Sequence, residues 1–109
     1  GLNHGKASDV DLLLVAPTGQ TFLLMTGVGQ FGSFSNANLT LSDAGASALP
    51  QIAGISSGTY RPASYEADDR NIFPAPAPAG AYNKPAPQGP ATFASVFNGL
   101  NPNGTWQLY

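Results

Sequence analysis

Two apolar runs, Leu12-Leu13-Leu14-Val15 and Thr21-Phe22-Leu23-Leu24-Met25, stand on either side of Ala16-Pro17-Thr18-Gly19-Gln20. Pro17 and Gly19 suit consecutive turn positions, and apolar runs bounded by turn residues predict strands covered on both faces, so residues 11–25 read as a β-hairpin. From Phe34 to Leu41 the pattern alternates, with Leu39 and Leu41 inward and Asn38, Thr40 and Ser42 outward, which predicts one further strand. Residues 42–58 are small-residue loop chemistry around a short apolar piece, Ile52 to Ile55. The stretch 74–90 places six prolines in seventeen residues, which imposes an extended path with few backbone donors, here read as a long ordered loop lying across the fold. Phe93, Val96, Phe97 and Leu100 then fall at i, i+3, i+4 and i+7 before or beside Gly99, so that a short helical turn competes with a strand. Finally, Asn101-Pro102-Asn103-Gly104 is a turn cluster, and residues 105–109 have strand composition. There the alternation predicts Trp106 and Leu108 as core residues, packed on Leu12, Leu14, Phe22 and Leu24, with Thr105, Gln107 and Tyr109 on the other face.

Composition narrows the class. Thirteen glycines and ten prolines cost too much in helix interiors, about 1 kcal/mol per Gly and 3 kcal/mol per Pro, for a helical protein, and an all-β fold follows. At 109 residues, 42% hydrophobic and 10% aromatic, the chain forms one domain with a single modest core. Only 9% of residues are charged and the net charge is −2, which leaves no electrostatic footprint for nucleic acid. No apolar run approaches the ~20 residues of a membrane span. Without cysteine there is neither a disulfide framework nor a thiolate metal site. A surface rich in Ser, Thr, Asn, Gln and Gly and poor in charge points to an extracellular setting. The opening at Gly1-Leu2-Asn3, without an initiating Met, reads as a piece of something longer.

Several motifs invite a chemical reading. Gly27-Val28-Gly29-Gln30-Phe31-Gly32 matches a dinucleotide fingerprint, but that chemistry needs a helix opening at the third glycine, and Ser33-Phe34-Ser35-Asn36 leads to a strand instead. It is read as an interstrand loop. Gly54-Ile55-Ser56-Ser57-Gly58 matches a nucleophile elbow, yet Tyr60-Arg61-Pro62 interrupts any helix, and His4 is the sole histidine; a Gly/Ser turn is the simpler reading, with His4 as a hydrogen-bonded structural residue. No catalytic residue is assigned. Asp9 and Asp11 at i, i+2 fall on the same side of a strand, and Glu66, Asp68 and Asp69 add a loop cluster. Calcium takes six to eight oxygens, often from such carboxylates, so Asp9 and Asp11 are the candidate calcium ligands, against pairing with Lys6, Arg61 or Arg70. Tyr60, Tyr65, Tyr82, Tyr109 and Trp106 could form a sugar-stacking platform or serve as core and loop anchors. Asn38-Leu39-Thr40 and Asn103-Gly104-Thr105 fit the glycosylation acceptor pattern.

His4, the run from Asp9 through Thr21 with its Pro17-Thr18-Gly19 turn, the pair Leu23-Leu24, and the late Asn103-Gly104-Thr105-Trp106-Gln107-Leu108 together resemble the P domain (P/Homo B domain). That domain stands behind the catalytic domain of kexin- and furin-like proprotein convertases and occurs in bacterial secreted proteases. Gln20, between the turn glycine and Thr21, departs from the pattern, as does the long Pro/Ala loop. The segment Thr59-Tyr60-Arg61-Pro62 and the Ala/Pro-rich residues 73–81 are closer to bacterial variants. The resemblance implies a jelly-roll-like antiparallel β-sandwich of about eight strands. Its implied role is noncatalytic: it stabilises, or interacts with, the rest of a secreted bacterial multidomain protein, and calcium accompanies some family members. In that family further strands precede residue 1 and follow the tryptophan strand. A sheet without them exposes an edge to an adjacent domain of the parent protein or to a neighbouring subunit, in a homo-oligomer or filament. A subunit of an extracellular filament or surface array, and a carbohydrate-binding module, are the alternative readings.

Overall fold

A computed structural model describes residues 1–67 and 73–109. Nine short strands and one helix follow in the order β1 (Leu2–His4), β2 (Leu12–Val15), β3 (Thr21–Thr26), β4 (Phe34–Ala37), β5 (Leu39–Leu41), β6 (Ser47–Ala48), β7 (Gly58–Arg61), β8 (Ala63–Ser64), α1 (Phe93–Phe97) and β9 (Gln107–Leu108). The fold is all-β, and among the described residues the strands form three small sheets.

The hairpin forms where the two apolar runs predict it. β2 lies antiparallel to β3 with Leu13 opposite Leu23, Leu14 opposite Phe22 and Val15 opposite Thr21, and a register shift separates Leu12 from Leu13. The turn closes through the Ala16 N–H to the Gln20 carbonyl at 2.9 Å, with Gly19 at φ 94°, a conformation that favours glycine. This hairpin sits in the middle of a four-stranded sheet ordered β8-β3-β2-β9. On one side β9 runs antiparallel to β2, and Leu13 and Tyr109 exchange both backbone hydrogen bonds at 2.9 and 3.0 Å. On the other side β8 runs parallel to β3, with Met25 opposite Ala63 and Thr26 opposite Ser64. The hydroxyls of Thr26 and Ser64 lie fully buried, 2.9 Å apart, so each satisfies the other across the parallel seam. Beyond them, residues 83–87 of the proline-rich stretch run along this flank: the Leu23 N–H donates to the Asn83 carbonyl and the Ser64 N–H to the Ala86 carbonyl.

Residues 34–41, which the alternation reads as one strand, divide in two. β4 pairs antiparallel with β1, whereas β5 pairs parallel with β7 in a sheet ordered β5-β7-β6. The break is Asn38, whose N–H donates to the Ser57 hydroxyl and whose carbonyl accepts from the Gly58 N–H, so the backbone changes partners there without an unmet polar group. The main core gathers Met25, Phe34, Ala37 and Ala63 from two of the sheets and Ala7, Val28, Leu49 and Ile55 from the connections, with partly buried Leu39, Leu41, Ala48 and Tyr60 of the third sheet packed against them. A second cluster, Leu13, Val15 and Leu23, lies on one face of the hairpin under Phe73, Tyr82 and Tyr109.

The ambiguity at 93–100 resolves as a five-residue helix. Thr92 and Ser95 form a reciprocal capping box, and the Asp43 carboxylate accepts from the Phe93 and Ala94 N–H groups, both at 2.9 Å, which meets the donors that a short helix leaves open. α1 covers the other hairpin face through edge-to-face contacts of Phe22 with Phe93 and Phe97, at centroid distances of 5.1 and 6.1 Å.

The alternation places Trp106 and Leu108 in the core, and the structure does not. Trp106 and Leu108 do share a face with Leu14 and Phe22, but they are not core: Trp106 is 40% exposed and Leu108 61%. A helix of five residues is too short to cover the whole strand face, so Trp106 reaches the rim of Phe97 at 5.1 Å and Leu108 stays outside. Tyr109, assigned outward by the same alternation, is the residue that turns onto the second core cluster.

The buried hydroxyl pair yields a test. Thr26→Val strands the Ser64 hydroxyl in the core and is expected to cost about 1–3 kcal/mol in urea unfolding. The double variant Thr26→Val, Ser64→Ala is expected to cost less than the sum of the two single changes.

Candidate functional site

Two places on the surface carry chemistry that the core does not require. The first is a hollow of about 490 Å³ at the end of β3, lined by residues including Lys6, Asp9, Gln30, Gln51 and Glu66, with the 81%-exposed Phe31 at its margin. Its floor is the triple-glycine loop. Gly27 and Gly29 have φ of 62° and 61°, and a side chain at Gly29 would meet the Ala7 methyl at 2.9 Å. The N–H groups of Gly29 and Gln30 donate to the carbonyls of Pro50 and Gln51. The dinucleotide pattern is thus an interstrand loop, laced to residues 50–51 with no helix opening on it.

Asp9 and Asp11 stand differently from each other. Asp9 closes a single 3-10 turn, Ala7–Asp9, not a strand, and its exposed carboxylate is paired with Lys6 Nζ at 3.0 Å. Asp11, half-buried at the foot of β2, accepts from the Gly27 N–H. Its pKa is pushed up to about 6, first by burial and then by the Glu66 carboxylate, with a smaller push from Asp9; the Gly27 hydrogen bond works against them. A Cβ at Gly27 would lie 3.0 Å from Glu66 Cγ, which places the Glu66 stem against the same loop. The described residues contain no group of three or more His, Cys, Asp or Glu side chains able to hold a metal ion. Asp68, Asp69 and Arg70 lie outside the described residues. Two carboxylates supply only part of the six to eight oxygens that calcium takes, so a calcium site here would need backbone carbonyls, water or further carboxylates beside Asp9 and Asp11.

The remaining candidates are dispersed. His4 Nδ1 lies 2.8 Å from the Lys6 carbonyl oxygen, and Ser56 and Ser57 sit in an exposed turn that feeds strand β7. Each tyrosine hydroxyl donates to a loop carbonyl: Tyr60 to Ser56, Tyr65 to Leu49, Tyr82 to Pro78 and Tyr109 to Pro76. The Trp106 indole N–H donates to Pro102. Tyr82 and Tyr109 thus hold the same proline-rich stretch, whereas Tyr60, Tyr65 and Trp106 tie other segments, and the five are not gathered into one stacking platform.

The second place is the outer side of β9. Leu13 and Tyr109 form the hydrogen-bonded pair, so the intervening Leu108 directs its N–H and C=O away from β2. Among the described residues β9 ends the sheet. Around that strand sit exposed Trp106 and Leu108 with half-buried Leu14 and Phe97. No charged residue follows Lys84 in the sequence. The two flanks of the sheet are therefore unlike. At the β8 flank residues 83–87 include Pro85 and Pro87, which have no N–H to offer another strand. At β9 the usual guards of an exposed strand, a lysine or a proline within it, are missing. An open edge beside the tryptophan strand was expected from the resemblance, but the exposure of Trp106 and Leu108 was not, because alternation reads them as core. The usable signal was the charge-poor run from residue 85 onward.

No family model, curated protein or solved structure matches the chain.

The Asp11 environment sets a pH dependence. A carboxyl held at about 6 in the fold and near 3.8 in the unfolded chain binds more protons when folded, so stability falls as pH rises through that interval. The full displacement is worth at most ~3 kcal/mol, and screening at a half-exposed position reduces it to ~1 kcal/mol. Asp11→Asn, whose side-chain oxygen still accepts from Gly27, is expected to be more stable than wild type by about that ~1 kcal/mol above pH 6, with the difference vanishing below pH 3.8. Urea unfolding across the pH range measures it.

Proposed function

We propose that this chain is a noncatalytic, P-domain-like β-module of a secreted bacterial protein that works by contact, and that its contact element is the outer side of β9. The observation that supports this reading is the unlike treatment of the two flanks of one sheet: prolines line the β8 side, while an uncharged strand with outward-directed backbone groups and exposed Trp106 and Leu108 forms the other. Such a strand recognises an extended segment, with main-chain hydrogen bonds providing affinity and alternate side chains providing selectivity. The two anchors of the P-domain resemblance, the first hairpin and the tryptophan segment, are neighbours in this sheet, which supports the same reading.

The occupant is a strand from a neighbouring subunit, and the nearest segment of suitable chemistry is residues 105–109 of a second copy, uncharged and apolar at alternate positions. Antiparallel pairing of two such strands about a two-fold axis is self-complementary and closes on itself. With prolines along the β8 flank, this sheet supports a pair and does not propagate into a filament.

Leu108→Lys, at a 61%-exposed position, is expected to change stability by no more than ~0.5 kcal/mol while removing concentration-dependent dimerisation in sedimentation equilibrium. A wild-type chain that stays monomeric at the highest soluble concentration, or a lysine variant that dimerises equally well, would reject the β9 contact.

A further inference from the structure

The connection between α1 and β9 contains two Asn-Gly steps, Asn98-Gly99 and Asn103-Gly104. We propose that Asn103-Gly104 is a self-modifying site, at which the chain converts Asn103 to aspartate and isoaspartate and so loosens the tie between β9 and the hairpin turn. The reaction needs only water. The Gly104 backbone nitrogen, having lost its proton to solvent base, attacks Asn103 Cγ; the new N–Cγ bond closes a five-membered succinimide, and the side-chain nitrogen departs as ammonia after taking up a proton. Water then adds to one of the two ring carbonyls. Cleavage of the N–Cγ bond returns a normal backbone with aspartate, whereas cleavage at the original peptide carbonyl leaves isoaspartate, with the main chain running through Cβ. Either way one neutral amide becomes one carboxylate, with one water consumed and one ammonia released.

Both asparagines are exposed, and both are followed by a residue with no side chain to shield the attacking nitrogen. They differ in restraint. Asn98 caps α1: its N–H donates to the Ala94 carbonyl at 3.0 Å, its backbone is fixed at φ −61° and ψ 135°, and the Leu100 N–H reaches back to Phe97 around it. Asn103 lies outside any helix or strand, and its N–H donates to the Asn101 side-chain oxygen at 3.1 Å. It is the asparagine held by no helix or strand hydrogen bond, its N–H partner being the nearby Asn101 side chain.

The position after Asn103 also has to be glycine. Gly104 has φ 130°, and a Cβ there would lie 2.7 Å from Pro17 Cβ, so only glycine lets this segment rest against the turn between β2 and β3. The packing that seats β9 therefore requires the neighbour that makes Asn103 reactive. An isoaspartate inserts one extra main-chain carbon immediately before that contact. Both products also put a negative charge into a stretch that has none, close to Trp106.

The experiment is incubation of the full chain at mildly alkaline pH, followed by peptide mapping with mass detection and enzymatic methyl labelling of isoaspartate. The same measurement is made on Asn103→Gln and on wild type in denaturant. Expected results are modification at Asn103 several-fold faster than at Asn98, a rate that rises with pH, loss of the main product in Asn103→Gln, and faster amide exchange at Tyr109, whose N–H donates to the Leu13 carbonyl, in the modified fraction. Modification at Asn98 equal to or faster than at Asn103 overturns the proposal. So does an Asn103 that stays intact in the folded chain while reacting in denaturant, as does unchanged exchange at Tyr109 after conversion. The rates are read equally on the Leu108→Lys chain, so failure of the β9 contact and failure of this site are separate outcomes.

Discussion

An apolar strand can be buried only if both sides of its backbone find partners, and β2 is the strand on which this demand falls hardest. Leu12-Leu13-Leu14-Val15 has no charge and little exposed surface, and its N–H and C=O groups point alternately toward β3 and toward β9. β3 arrives through a short turn and is local. β9 comes from the far side of the sequence, after the proline-rich path and α1, and its pairing with β2 brings Tyr109 over Leu13 and Val15. The second core cluster, the position of α1 over Phe22 and the exposure of Leu108 all follow from how that second partner is delivered.

The two faces of the hairpin are covered in different ways. On one, Phe73, Tyr82 and Tyr109 close over Leu13, Val15 and Leu23, and the tyrosine hydroxyls tie the proline-rich loop by its carbonyls. On the other, α1 places two phenylalanines against Phe22 and leaves the end of the face to Trp106 and Leu108. A small domain with few charges has limited means to cover its sheets, and here loop carbonyls, held by aromatic hydroxyls, substitute for further strands.

The hairpin was legible because its runs are apolar throughout and its turn contains Pro17 and Gly19. The all-β class was legible from glycine and proline content. The division of residues 34–41 was not, because Asn38 alternates correctly for either strand; only the distant Ser57 and Gly58 decide that the backbone changes sheets there. Helix α1 was ambiguous by periodicity, and what settles it locally is Asp43, some fifty positions earlier, accepting from two of its amides. Trp106 and Leu108 were misplaced for a related reason: alternation says which residues share a face, and says nothing about whether anything long enough lies above that face. At the hollow, spacing suggested that Asp9 and Asp11 act alike, whereas a single 3-10 turn sends one toward Lys6 and leaves the other with Gly27 and Glu66.

The pairing of β2 with β9 also bears on how the protein reaches its native state during translation. β2 and β3 leave the ribosome together and can close as a hairpin at once, but the outer backbone of β2 has no strand partner until β9 has been made as well. Through that interval a leucine-rich strand remains wet along one side, in the form most open to wrong pairing with another nascent copy. Vectorial synthesis therefore gives little head start: the sheet is completed only after release of its late segment, and a holding chaperone would be most useful between those two moments.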